Sequence, residues 1–186
     1  MYIFFSGEMV RQGVAGNKTC TRRIIPDGLT DEQAIAYLEK HYGKVGDVLW
    51  VRENWAVHPR YNKTSPSNLP FTSPMGNVTY MADVEHSGTG LTHGRVRPSI
   101  HMPRWASRYE IRIISLRPEP LHGIKPYEVV HEGACSENFY LKNPGWLVID
   151  MFKSLWNSLN ADRGYGWDKN PSVGVIGFEW VREHEV

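Results

Sequence analysis

Nine residues, Tyr109 to Arg117, alternate apolar and polar side chains, and a second run from Ser172 to Val181 closes the sequence with the same strand character. Between them Val148, Met151, Phe152, Leu155, Trp156 and Leu159 recur every three or four residues. That spacing predicts a helix over Trp146 to Asn160 with one apolar face. A switch from period two to period 3.6 and back demands a sheet with a helix packed on it.

Other segments repeat the theme without a regular βαβ rhythm. Tyr2 to Phe5 reads as a short buried strand leading into a helical turn over Met9 to Gly13. Thr30 to Gln33 has capping-box spacing, and Ala34, Ile35, Tyr37 and Leu38 follow as an apolar stripe before Gly43, so residues 31 to 42 read as a helix. Val48 to Glu53 reads as a strand with Val48, Trp50 and Arg52 on one face, Leu49, Val51 and Glu53 on the other. Val78 to Ala82 suggests another strand, and Pro126 the first turn of a short helix ending near Gly133. Residues 57 to 77 carry Pro59, Pro66, Pro70 and Pro74, and Ser87 to Gly94 is glycine-rich, so an irregular insertion is expected over about 57–100. The expectation is one α+β domain over 1–186, built on a small mixed β-barrel with about three flanking helices.

A chain of 186 residues with 41% hydrophobic and 22% charged residues suits a soluble domain, and no apolar run approaches the roughly 20 residues of a membrane span. With no signal-peptide pattern at Met1 to Glu8 and only Cys20 and Cys135 for thiols, a cytoplasmic location without membrane association is expected. Eight histidines are scattered singly and no Cys-x-x-Cys occurs, so no metal and no cofactor is expected. A net charge of +1 argues against coating nucleic acid by bulk electrostatics. Local contact remains open through the arginines of residues 95–117, interleaved with Trp105 and Tyr109, although Arg112 and Arg117 read as the wet face of a strand.

Chemistry concentrates in Gly16-Asn17-Lys18-Thr19-Cys20-Thr21-Arg22-Arg23. An ammonium beside hydroxyls suits nucleophilic catalysis, and Arg22 or Arg23 suits a phosphate, carbonyl or carboxylate. The plainer alternative is a basic surface turn in which the threonines cap amides. Trp55 and Trp105 are candidates to stack a base, with Arg52, Glu53 and Arg104 reading its edge or a phosphate and His101 on the proline-bracketed segment 98–105. Trp50, Trp156 and Trp180 read as core.

This motif, followed by Val45-Gly46-Asp47-Val48-Leu49, Leu121 through Glu132-Gly133, and Val175-Ile176-Gly177-Phe178, resembles ASCH-domain proteins of the PUA-like superfamily. Pro98 through Arg108 resembles a bacteriophage and prophage branch. The resemblance implies a PUA-like barrel and a modified nucleoside or single-stranded RNA as partner. Some members are amidohydrolases that remove the acetyl group of N4-acetylcytidine with a Lys, Thr and Glu set. Carried onto this chain, the set is Lys18, Thr21 and Glu132, with Arg23 beside the substrate. Arg22 departs from the usual apolar residue at its position. Alternatives are a non-catalytic modified-base or RNA reader and a ribonuclease in which Lys18 and an arginine stabilise a phosphorane, with His101 as acid or base.

Overall fold

The computed structural model describes residues 1–73, 76–87 and 93–181. In chain order its main elements are β1 (Tyr2–Phe4), α1 (Gly7–Val14), β2 (Cys20–Ile24), α2 (Asp31–Tyr42), β3 (Val48–Arg52), β4 (Trp55–Ala56), β5 (Thr79–Tyr80), α3 (Met81–Ser87), β6 (Glu110–Pro120), α4 (Pro126–His131), α5 (Glu137–Lys142), α6 (Gly145–Asn160) and β7 (Ser172–Val181). Five strands form one mixed sheet in the order β1-β3-β6-β7-β2, in which β1 and β3 are parallel and every other neighbour is antiparallel. The fold is α+β.

The long β6–β7 ladder runs from Glu110 opposite Val181 to Pro120 opposite Ser172, interrupted by a register shift between Ile113 and Ser115. A bulge there bends the sheet sharply. Gly177 sits opposite the shift, and a Cβ on it would lie 2.2 Å from Ser115 Oγ, so a side chain there would require the Ser115 hydroxyl to rotate away.

The curvature does not close the expected barrel. Strands β1 and β2 are the two edges, and no backbone hydrogen bond joins them among the described residues. An arginine spans the gap instead: Arg23 Nη2 donates to the Phe4 carbonyl at 3.0 Å. Six α-helices rather than about three are present among the described residues. α1 is longer than a turn because the Ser6 side chain caps it. α5 has only six residues, too few for a stripe to register.

Three apolar clusters organise the interior. Ile3, Phe5, Leu49, Val51, Ile111, Ile113, Ile176 and Phe178 fill the concave sheet face with Val10 of α1 and Leu38 of α2. Val129, Val148, Phe152, Trp156 and Val173 pack α4 and α6 behind it.

The third cluster, Trp55, Val57, Leu69, Tyr80, Met102 and Ala106, lies in and around the insertion. The segment expected to be irregular is thus partly built: β5 pairs antiparallel with β4, and α3 follows. The strand expected over 78–82 is cut to Thr79–Tyr80, because Met81 and Ala82 turn into α3 and bury there. Pro74 and most of the Ser87 to Gly94 loop lie outside the described residues.

Candidate active site

Four of the expected site residues converge. Thr21 and Arg23 sit on β2, Glu132 caps the C-terminus of α4, and all three border a cavity of about 310 Å³ whose other walls include Tyr42, Phe152, Trp156, Leu159 and Arg163. Cavities of this size hold small ligands. None of the described residues of 57–100 lines it, so the insertion is not its lid.

Lys18 lies just behind this wall, 0% exposed. Its Nζ donates to the carbonyls of Glu132 (2.7 Å) and Cys20 (2.9 Å) and stands 3.7 Å from Glu132 Oε2. Because the Cys20 carbonyl belongs to the peptide that begins Thr21, the amine is held beside the cavity threonine. Burial pushes Lys18 below its ordinary value, the nearby Glu132 carboxylate opposing it and the Arg23 charge assisting. Gly133 completes the arrangement: it takes a φ of +75°, and a Cβ there would stand 3.2 Å from Lys18 Cβ and Cδ.

Arg22 organises the carboxylates. Its Nη1 donates to Glu132 Oε1 (2.9 Å), its Nε and Nη2 to Glu119 Oε1 (2.9 and 2.6 Å), and Nη2 also to Glu128 Oε2 (2.9 Å). Four of the five N–H groups of this buried guanidinium are thus committed to carboxylates, although Arg22 also borders the cavity. It does not tune Lys18 as a bare charge, since three carboxylates surround it. The amides of the Gly16 turn are also taken: those of Gly16, Asn17, Lys18 and Thr19 donate to Gly13, Gln12, Gln12 and His131. They are not an oxyanion site. Cys20 is buried, and burial pushes its thiol well above its ordinary value, so it is no nucleophile.

The remaining candidates lie elsewhere. Glu53 is 1% exposed and takes two hydrogen bonds from Arg108, at 2.9 and 3.1 Å. Trp55 is 0% exposed, so this expected stacking residue is core, touched edge-on by Trp105 at 6.0 Å between ring centroids. Trp105 packs on the same cluster. Arg104 is ion-paired with Glu110, and His101 is exposed on a single helical turn over Ser99–His101. Arg52 lies against the outer sheet face, its guanidinium 3.9 Å from the Tyr2 ring centroid and 4.5 Å from that of Trp50. Trp156 is buried as expected, whereas Trp50 and Trp180 are half-buried.

Sequence reasoning missed Glu119, Glu128, Tyr42 and Arg163. The Glu128 carboxylate was traceable, since it accepts from the Lys125 amide at the start of α4 in a spacing typical of helix caps. The others meet the site only through long-range packing. Searches against protein-family models, curated proteins and solved structures returned no match.

Proposed function

We propose that the chain is an ASCH-type, PUA-like domain whose cavity hydrolyses the N4-acyl amide of a cytidine-type base. The observation that carries this reading is the fully buried Lys18 amine, held by two carbonyls beside Thr21 and Glu132. Among the described residues the Thr21 hydroxyl has no hydrogen-bond partner, although Thr21 is 3% exposed and borders the cavity.

In the proposed reaction the Thr21 oxygen bonds to the acyl carbon while its proton passes to the neutral Lys18 amine. The oxyanion then develops next to the new ammonium. Collapse breaks the carbon–nitrogen bond as the proton moves to the departing cytosine amine, and water cleaves the acyl-threonine ester. Glu132 acts on this sequence by orienting Lys18 and by balancing its charge.

Incubation with N4-acetylcytidine and its phosphorylated forms, followed by chromatography, tests the proposal. Release of the deacetylated product that disappears in Thr21→Val and Lys18→Met is expected. Retention of full turnover in either variant, or no product from any of these substrates, overturns it.

A second reading rests on the outer face of β1 and β3. Tyr2, Trp50 and Arg52 stack there, with the Arg104 guanidinium 5.8 Å from the Trp50 ring centroid, a composition suited to single-stranded RNA. Under that reading Arg52→Ala weakens RNA binding while leaving hydrolysis intact.

A further inference from the structure

Two adjacent arginines end in opposite electrostatic conditions. Arg22 meets three carboxylates. Arg23 forms no direct ion pair among the described residues, and the Glu132 carboxylate acts on it only from a distance: its one hydrogen bond goes to the Phe4 carbonyl, and its Nε is buried without a partner. A guanidinium without a direct counter-charge in a half-buried wall is expensive to hold, and burial lowers its ordinary value, with Tyr42 and Glu132 opposing only in part. Such a group is retained where a ligand supplies the missing charge.

A second cation stands at the same end of the cavity. Arg163, on the turn after α6, borders it, and its contact is a long 3.4 Å hydrogen bond from Nη1 to Asn160 Oδ1. Its charge acts against that of Arg23. Glu132 is the cavity's one carboxylate among its described lining residues, and it is already engaged by Arg22 and Lys18. Positive charge is therefore in excess where Arg23 and Arg163 meet, and in balance where Thr21 and Glu132 meet.

We infer that the cavity takes a phosphorylated substrate, a cytidine-type nucleoside monophosphate, with its phosphate on Arg23 and Arg163 and its base toward Thr21 and Glu132. A phosphate near neutral pH carries close to two charges and offers several acceptor oxygens, which matches two guanidinium forks better than a carboxylate does. Thr21 and Arg23 are two residues apart on β2, about 6.6 Å along a strand, so base and phosphate can be served by one strand. Tyr42 and Trp156 are aromatic members of the cavity wall. The assignment rests on this cavity being the substrate site proposed above.

Calorimetry on the full chain at physiological salt separates the possibilities, using cytidine 5′-monophosphate, cytidine and inorganic phosphate as probes, in parallel with turnover of N4-acetylcytidine and its 5′-monophosphate. The monophosphate is expected to bind at least about tenfold more tightly than cytidine, the advantage of charge-assisted contacts. Arg163→Gln, at an exposed position, is expected to erase that advantage while leaving the melting temperature unchanged; Arg23→Lys is the second variant, because Arg23 also ties β1 to β2. Equal binding of the two cytidine ligands overturns the inference even if acetylcytidine is hydrolysed. Inorganic phosphate binding as tightly as the monophosphate overturns it too. A phosphate-dependent preference lost in Arg163→Gln, without any turnover, sustains the subsite and overturns the hydrolase reading alone.

Discussion

Replacing Arg22 by Met tests the charge cluster on which the site is built. The change keeps the unbranched stem and removes a guanidinium that donates to Glu119, Glu128 and Glu132 at 2.6–2.9 Å. Breaking a buried ion pair by deleting one partner costs about 3–5 kcal/mol, because a charge is left behind. The loss is unequal among the three carboxylates. Glu119 and Glu128 keep Arg117, whereas Glu132, with a side chain 5% exposed, keeps Lys18 at 3.7 Å as its one direct ion pair among the described residues. The lower end, about 3 kcal/mol, is therefore expected at neutral pH. For a chain of this length that is a fall of about 6–12 °C in Tm.

The pH dependence carries the sign. Burial alone would raise Glu128, but the Lys125 amide and the Arg22 and Arg117 guanidiniums outweigh it and hold the carboxyl below its ordinary 4.5. A carboxyl depressed in the folded state contributes stability above its unfolded value and loses it as pH falls through the folded one. Without Arg22 the depression is smaller, so the deficit of the variant against the parent should shrink below pH 4.5. Urea unfolding of Arg22→Met, Glu132→Gln and the double variant, at pH 7 and pH 4, checks this; the double variant should recover part of the loss. A Tm within about 2 °C of the parent at pH 7, or a deficit that widens in acid, refutes the reasoning.

Lys18, lowered by burial, should make turnover rise with pH through its own folded value and then level off, measurable as a kcat profile. The same shift means that the unfolded chain binds more protons below 10.5, so Lys18 should make stability rise with pH in that alkaline window, and Lys18→Met should flatten the rise in urea titrations. Gly13→Ala should cost about 1–3 kcal/mol by overpacking, since its Cβ would come within 1.8 Å of the Trp180 ring; because Trp180 Nε1 donates to the Lys18 carbonyl, activity should fall with it. Trp55→Ala should cost about 3–5 kcal/mol of stability while leaving nucleotide affinity unchanged, and a selective loss of affinity without destabilisation would return Trp55 to the site.

What was legible in the sequence was local. The helix over 31–42 was readable to its ends because Thr30 and Gln33 cap it reciprocally, and the last strand because Val173, Val175, Ile176 and Phe178 mark it as an apolar run. Met81 and Ala82, apolar and contiguous with Thr79 and Tyr80, gave no local sign that the chain changes from strand to helix between them. Barrel closure depended on whether β1 and β2 meet, which no periodicity encodes. Trp55 has the composition of a stacking residue, and only the packing of Leu69, Met102 and Ala106 around it makes it core.

The site shows the same division at finer scale. The motif brought Lys18, Thr21 and Arg23 to one place through a single turn and strand, whereas Glu132 entered only through the family resemblance, as the acid before Gly133. The motif could not say which of Arg22 and Arg23 is available. Consecutive strand residues point to opposite faces, so one of the pair must turn toward α4 and the other toward α2 and β1. The partners that neutralise Arg22 lie 97, 106 and 110 residues further along the chain, on β6 and α4. Had those carboxylates faced the other side of β2, Arg23 would be the structural clamp and Arg22 the free cation. The anion-binding end of the cavity is therefore set by the docking of α4, and a change at Glu119 or Glu128 that frees Arg22 should weaken the distinction between the two arginines.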